Sequence, residues 1–268
     1  MALTTVADIK AAVRDNRVQK ILWYWPNSFG AAVGANFCRS WWGELTPTGT
    51  TDPRICTKTT LSPTDGRVYF NDPEPGNQLY LLGFDYGEAS VQQQFVVFCY
   101  DRLWDFDMTS KGTSTTVTIP SPQGPDRNIG GVGNFIFLET RNGSIAFPTS
   151  LTVSYTNQDG VSGRTATFPN LLNAGKLVNW SNLAVGDYGV QSIQSYTIGG
   201  TSNGWLVIGK PIAYFLVNAT GAVSFDTVWS TTQLTPLDPN ACLSLFEYKS
   251  SGAGVIFISG LTYTIVEG

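Results

Sequence analysis

Histidine is absent from the chain. With it go the Ser-His-Asp triad, the commonest general base near neutral pH and most zinc chemistry. Charge is scarce too: Asp, Glu, Lys and Arg make up 13% of the 268 residues, about half the ~25% usual in soluble domains. The small imbalance is acidic, 20 carboxylates against 16 basic side chains. The clustered Lys and Arg that a phosphate backbone demands are therefore missing, and direct nucleic-acid binding is not expected. The cysteines are only Cys38, Cys56, Cys99 and Cys242, with no Cys-x-x-Cys pair, so reduced, buried thiols are the expectation. No run approaches the ~20 apolar residues of a spanning helix, so no membrane partner is expected. The first residues lack the basic start and apolar run of a secretory signal, which implies folding in a cytoplasm.

What is present is aromatic and β-patterned. Phe, Trp and Tyr reach 13%, with eight tryptophans, and there are 28 glycines. So much aromatic surface beside so little charge points to a chain that hides part of itself against copies or a partner. Its length suffices for a real core without staples.

Residues 4–19 carry the one helical pattern. Thr5 can cap it, Asp8 completes a capping box three residues on, and Val6, Ile9, Ala12 and Val13 form an apolar stripe. That helix is either a cap on the core or an arm docked on a neighbour. Ile21, Leu22, Trp23, Tyr24 and Trp25 read as a strand that is buried or at an interface. The Trp41-Trp42 pair follows, and residues 47–66, full of turn signals, read as a surface loop or extended arm. Val6, Ile9, Val13, Trp23, Trp25, Trp41 and Trp42 are the candidate interface residues.

From residue 78 the pattern is β throughout. Strands are predicted at 79–84 and 94–100 around a turn at Gly87, with an edge strand at 114–119 and a Gly-rich loop at 124–133. Further strands follow at 135–139, 191–198, 205–208, 212–217, 242–248 and 255–265. The clearest unit is a hairpin over 151–168. Val153 and Tyr155 alternate with polar neighbours, Asn157-Gln-Asp-Gly160 turns, and Arg164, Ala166 and Phe168 resume the alternation. Asp159, Gly160 and Gly163 are its turn residues. The fold class expected is all-β: an antiparallel β-sandwich of jelly-roll type with a short N-terminal helix and long loops. Residues 1–75 would form the helix, aromatic strand and arm, and 76–268 the sandwich, as one structural unit.

Chemistry is hard to find. Asp101, Asp105 and Asp107 could gather a hard cation, but the spacing is not Asp-x-Asp-x-Asp-Gly and the intervening aromatics argue for a strand whose carboxylates cap turns and pair Arg102. A glycosidase needs two carboxylates facing one sugar. Asp101, Asp105, Asp107, Glu139, Asp187 and Glu247 are available, with Trp41, Trp42, Trp104 or Trp205 as stacking platforms, yet no pair stands out. Gly199-Gly-Thr-Ser-Asn-Gly204 lacks the ending of a phosphate loop and reads as a hairpin turn. No catalytic residue, metal or cofactor is assigned.

Several segments, in order along the chain, resemble a family of tailed-bacteriophage virion proteins encoded among head genes. They are Leu3-Thr-Thr-Val-Ala-Asp-Ile-Lys-Ala-Ala12, Tyr100-Asp-Arg-Leu-Trp104, Val153-Ser-Tyr-Thr-Asn-Gln-Asp-Gly-Val-Ser-Gly-Arg-Thr-Ala-Thr167, Ala174-Gly-Lys-Leu-Val178, Gly186-Asp-Tyr-Gly-Val-Gln-Ser-Ile-Gln-Ser195 and Asp238-Pro-Asn-Ala-Cys-Leu-Ser-Leu245. The hairpin and the segment from Gly186 are the most specific. The resemblance implies a non-enzymatic virion component: a capsid decoration or minor capsid protein whose partners are the major capsid protein and copies of itself, as a homo-oligomer such as a trimer. A tail or baseplate protein binding host glycans is the alternative.

Overall fold

A computed structural model describes residues 3, 6–23, 37–40, 53–58, 70–88, 93–108, 116–140, 148–169, 178–200, 204–219, 224–229, 235–249 and 258–268. One helix, α1 (Val6–Arg14), precedes sixteen strands among them. These are β1 (Val18–Trp23), β2 (Phe37–Ser40), β3 (Arg54–Ile55), β4 (Leu79–Glu88), β5 (Gln93–Asp107), β6 (Thr116–Thr118), β7 (Phe135–Thr140) and β8 (Pro148–Asn157). The rest are β9 (Arg164–Thr167), β10 (Val178–Trp180), β11 (Val190–Gly200), β12 (Gly204–Ala219), β13 (Ser224–Trp229), β14 (Thr235–Leu237), β15 (Leu243–Lys249) and β16 (Ile258–Glu267). Every ladder is antiparallel, and the all-β antiparallel class expected from the sequence is the one observed.

The strands form three sheets. A seven-stranded sheet runs β10-β7-β12-β5-β15-β2 with β3 beside β5, and a four-stranded sheet runs β6-β11-β8-β9. These two face each other as a sandwich. Trp104, Phe106, Ile136, Leu138, Leu206 and Ile208 of the larger sheet meet Leu151, Val153, Tyr155, Ile193, Tyr196 and Ile198 of the smaller in one buried cluster. Period-two alternation explains the split: Phe137, Trp205 and Val207 point the other way and join Cys56, Tyr100 and Cys242 in a second cluster. The third sheet, β1-β16-β4-β13 with β14 on β4, carries α1. Ile9, Ala12 and Val18 pack there with Leu3, Tyr80, Leu82 and Val266.

The helix is shorter than residues 4–19. Asn16 takes the left-handed conformation at φ 58°, while Asn16 N–H donates to Val13 O and Arg17 N–H to Ala12 O. This is a Schellman cap, with Asn in the position usually held by Gly. The chain leaves it directly into β1.

Several sequence expectations need correction. Very short strands such as β3, β10 and β14 were not expected, because so few residues leave little periodicity. β4 runs through Gly87 to Glu88 and lies in a different sheet from β5, so Gly87 makes no hairpin. The strands expected at 205–208 and 212–217 are one continuous strand, β12. Pro211 is accommodated at a register shift opposite β5, beyond Gly209, the last β12 residue paired to β7. Gly199 and Gly200 end β11 and Gly204 opens β12 in a different sheet, so these two strands do not form the hairpin expected there; residues 201–203 lie outside the described residues. Residues 53–58, within the expected surface arm, are core: Arg54 and Ile55 pair with Asp105 and Trp104, and Cys56 is buried. Cys56, Cys99 and Cys242 are free and buried as expected. No helix among the described residues is long and apolar enough to cross a membrane.

Candidate interaction surface

Of the carboxylates weighed for catalysis, Asp101, Asp105, Glu139 and Asp187 are each held by an arginine. Asp105, wholly buried in β5, accepts from Arg54 Nε at 2.7 Å and Arg54 Nη2 at 2.9 Å on one side, and from Arg102 Nε at 2.8 Å on the other. Arg102, also wholly buried, reaches on to Glu139 of β7. Burial pushes the Asp105 carboxyl up, but the two guanidiniums outweigh it and hold the group below the usual carboxylate range. Asp101 accepts from Arg127 through both oxygens, at 2.9 and 2.6 Å, and from the backbone N–H of Cys242 at 2.8 Å. There burial wins, and the carboxyl is raised. The segment from Asp101 to Asp107 is the last stretch of β5, a strand as expected, but Asp101 and Asp105 are held by arginines and do not cap turns; the pairing of Arg102 with a carboxylate holds. No group of three His, Cys, Asp or Glu side chains among the described residues could hold a metal.

The hairpin behaves as its pattern predicts. β8 and β9 pair with Tyr155 opposite Arg164, Val153 and Tyr155 are buried, and Phe168 is in the core. Asn157 Oδ1 accepts from the N–H groups of Asp159 and Val161, at 3.1 and 2.9 Å, an Asx turn that fixes the tip. Gly160 and Gly163 sit at φ 78° and 73°.

The tertiary structure adds Asp187. Its carboxylate lies under the hairpin and accepts from Arg164 Nε (2.8 Å) and Nη2 (3.1 Å), from Asn157 Nδ2 (2.9 Å) and from the Tyr155 hydroxyl. Tyr155 Oη in turn accepts from Ala184 N–H at 3.0 Å. The two segments that best carry the phage resemblance, the hairpin and Gly186-Asp-Tyr-Gly, are therefore one spatial unit tied at one carboxylate. Hydrogen bonds from Arg164 and Tyr155 hold the Asp187 pKa at about 2. Burial, with the bond to Asp187, raises Tyr155 to about 12.

A group depressed in the fold stabilises it above the unfolded-state value and ceases to do so as pH falls through the folded value. Asp187→Asn is accordingly expected to lower Tm at pH 5–7, and the gap to wild type should close between about pH 4 and pH 2. Thermal unfolding followed across that range checks it; a gap undiminished at pH 2 would show that the charge of Asp187 is not what matters.

A third loop locks onto the same end. Asn134 Nδ2 donates to Val190 O at 2.9 Å, Val190 N–H to Gly131 O at 2.9 Å and Gly133 N–H to Tyr188 O at 3.1 Å. Gln158 of the hairpin accepts from Tyr188 N–H at 3.1 Å. The three braced loops hold apolar side chains out in solvent: Ile129, Val132, Val161, Val185 and Tyr188 are 51–99% exposed. An exposed apolar grouping of this kind is a candidate contact surface. Sequence reasoning passed over it. The available signal was single apolar residues enclosed by turn formers, Asn128-Ile-Gly130, Gly131-Val-Gly133 and Val185-Gly-Asp187, where burial is not expected.

Beyond β7 a second apolar surface opens, a cleft of about 180 Å³ whose walls include Phe98, Phe135, Trp180, Ile212 and Tyr214. Trp180 packs against Phe135 with ring centroids 4.6 Å apart, and Tyr214 is 74% exposed. The tryptophans expected to stack on sugars are elsewhere: Trp104 and Trp205 are buried in the two cores.

Of the candidate interface residues, Ile9 is spent against the third sheet and Val13 is exposed. Val6 opens α1, and Trp23 ends β1 opposite Leu261. Trp25, Trp41 and Trp42 lie outside the described residues.

Fold and surface together define an antiparallel β-sandwich protein that presents rigid apolar loops and holds its buried carboxylates in ion pairs. No family model and no curated protein matches the chain, so the likeness to tailed-phage virion proteins rests on the segments quoted above. Among solved structures it is similar to a chain of infectious bursal disease virus Gx strain, at 10% identity and a TM-score of 0.20, over 94% of this chain and 81% of that one. It is also similar to the VP2 subviral particle of the same virus, at 11% identity and a TM-score of 0.21, over 93% and 80%. Likeness at this level fixes neither fold nor function.

Proposed function

We propose that this chain is a non-enzymatic virion protein, a capsid decoration or minor capsid component that stabilises the head by binding the major capsid protein and copies of itself. The observation that carries this is the braced loop end: apolar side chains are held in solvent for contact, and the carboxylate beneath them, Asp187, is occupied by Arg164, Asn157 and Tyr155. Rigid presentation favours assembly because little conformational freedom is lost on docking. The segment resemblance supports a virion setting. On this reading the protein touches neither nucleic acid nor membrane.

A map of intact virions is the test. Density for this chain on the outer or inner face of the head shell is expected, with Val185→Glu lowering its occupancy there. Finding the chain in the tail alone would replace this reading with the second one, a tail or baseplate protein that binds host glycans. The specific observation in favour of that alternative is the pair of exposed rings, Trp180 and Tyr214.

A further inference from the structure

We infer that Cys56 and Cys242 form a thiol pair placed to close as an intramolecular disulfide when the chain meets an oxidant. The inference goes beyond the virion reading and does not rest on it.

Backbone register sets the two side by side. Cys56 N–H donates to Leu103 O at 3.0 Å, and Arg102 N–H donates to Cys242 O at 2.9 Å. Both cysteines therefore lie on one edge of β5, opposite consecutive residues, where the segment from β3 gives way to the one entering β15. Lys58 N–H donates to Asn240 O at 3.2 Å and ties those two segments to each other. Alternation then puts both thiols on one face. Arg54 pairs with Asp105 across β3 and β5, so Cys56, two residues on, points to the side of that ion pair. Arg102, opposite Cys242, reaches Asp105 on the same side. Both cysteines belong to one buried cluster, with Tyr100, Trp205 and Val207. That placement suits the roughly 4.4–6.8 Å between Cα atoms that a disulfide requires.

The other cysteines are placed elsewhere. Cys99 adjoins Tyr100 in β5 and so faces the opposite side of the sheet from it. Cys38 pairs with Tyr248, at the far end of β15 from Cys242.

With a peroxide as oxidant the reaction balances. One thiolate attacks a peroxide oxygen, the O–O bond breaks, and a sulfenic acid and a water form. The second sulfur attacks the sulfenic sulfur, the S–O bond breaks and a second water leaves. The two thiols give up two electrons and two protons between them. Burial raises both thiols, Cys242 to about 12, and local opening at the short β3 must admit the oxidant, so closure is slow. In a reducing compartment both thiols stay free.

Peptide mapping of the folded, full-length chain tests this. After hours in dilute hydrogen peroxide and tryptic digestion without reductant, peptide 55–58 is expected joined to the peptide that contains Cys242. The bridge closes a long loop in the unfolded chain, so Tm should rise by roughly 5–15 °C, and dithiothreitol should reverse the rise. Cys99→Ser should leave both results unchanged, and Cys242→Ser should abolish both. Peptide 55–58 recovered unbridged, or joined to Cys38, to Cys99 or to a second copy, would overturn the inference. A bridge that forms only in urea would do the same, since the fold would not then have placed the pair. The wild-type map needs no variant to fold, and its outcome is independent of where the chain lies in virions.

Discussion

Replacing Asp105 with alanine is expected to destabilise the fold by about 3–5 kcal/mol, the usual cost of leaving a buried charge without its partner. Arg102 is wholly buried and has Asp105 and Glu139 as its carboxylate partners. Removing Asp105 leaves two guanidiniums, those of Arg102 and Arg54, facing each other across a cavity. Equilibrium urea unfolding measures the loss. A companion variant, with Arg54, Arg102, Asp105 and Glu139 all exchanged for apolar residues of similar size, is expected to be far closer to wild type, because no ion is then stranded. If Asp105→Ala cost under about 1 kcal/mol, the value of an exposed pair, the chain of charges would not be the clamp it looks like.

The pH dependence has a definite sign. The folded-state pKa of Asp105 is depressed, so its contribution is present above the unfolded value near 4 and is lost as pH falls below that. The stability difference between wild type and Asp105→Ala should therefore shrink on acidification.

Gly131→Val carries the second large effect. Gly131 sits at φ 73°, and a Cβ there would lie 2.6–2.7 Å from backbone atoms of Val190 and Gln191. Left-handed strain and a clash with atoms that cannot step aside add to roughly 2–4 kcal/mol. The break would fall where the Gly131 loop holds Val190, so the interaction surface should loosen before the core does. Amide exchange at Gly133 and Val190 would report it. Gly160→Val is the internal comparison: φ is 78°, but a Cβ there meets nothing within 4 Å. Its cost is the backbone term alone, about 1–2 kcal/mol. Thermal unfolding should rank Gly131→Val well below Gly160→Val; the reverse order would mean the loop geometry is misassigned.

The hairpin over 151–168 was legible in the sequence because everything that specifies it is local. Alternation sets which face is buried, and Asn157, Gly160 and Gly163 supply the turn. The edge strand β6 and the free, buried state of Cys56, Cys99 and Cys242 were legible for similar reasons, composition and short-range pattern. Residues 53–58 were not. Pro53 and its polar neighbours look like loop, and what makes them core is Asp105, fifty residues away, which needs the Arg54 guanidinium. Pro211 misled in the same way: it breaks a strand by itself and is tolerated only because a register shift against β5 absorbs it.

By itself, then, the sequence determined the all-β antiparallel class and the absence of histidine chemistry, since residue type and period-two patterning act between neighbours along the chain. Which hairpins were real, which carboxylates were consumed and which apolar side chains stayed in water were decided only by tertiary structure. Each depends on groups far apart in sequence: Asp187 with Tyr155 and Arg164, Arg102 with Glu139, and Gly131 with Val190. The loop end is legible only once those pairs have formed, because an exposed valine differs from a buried one only in what has folded around it.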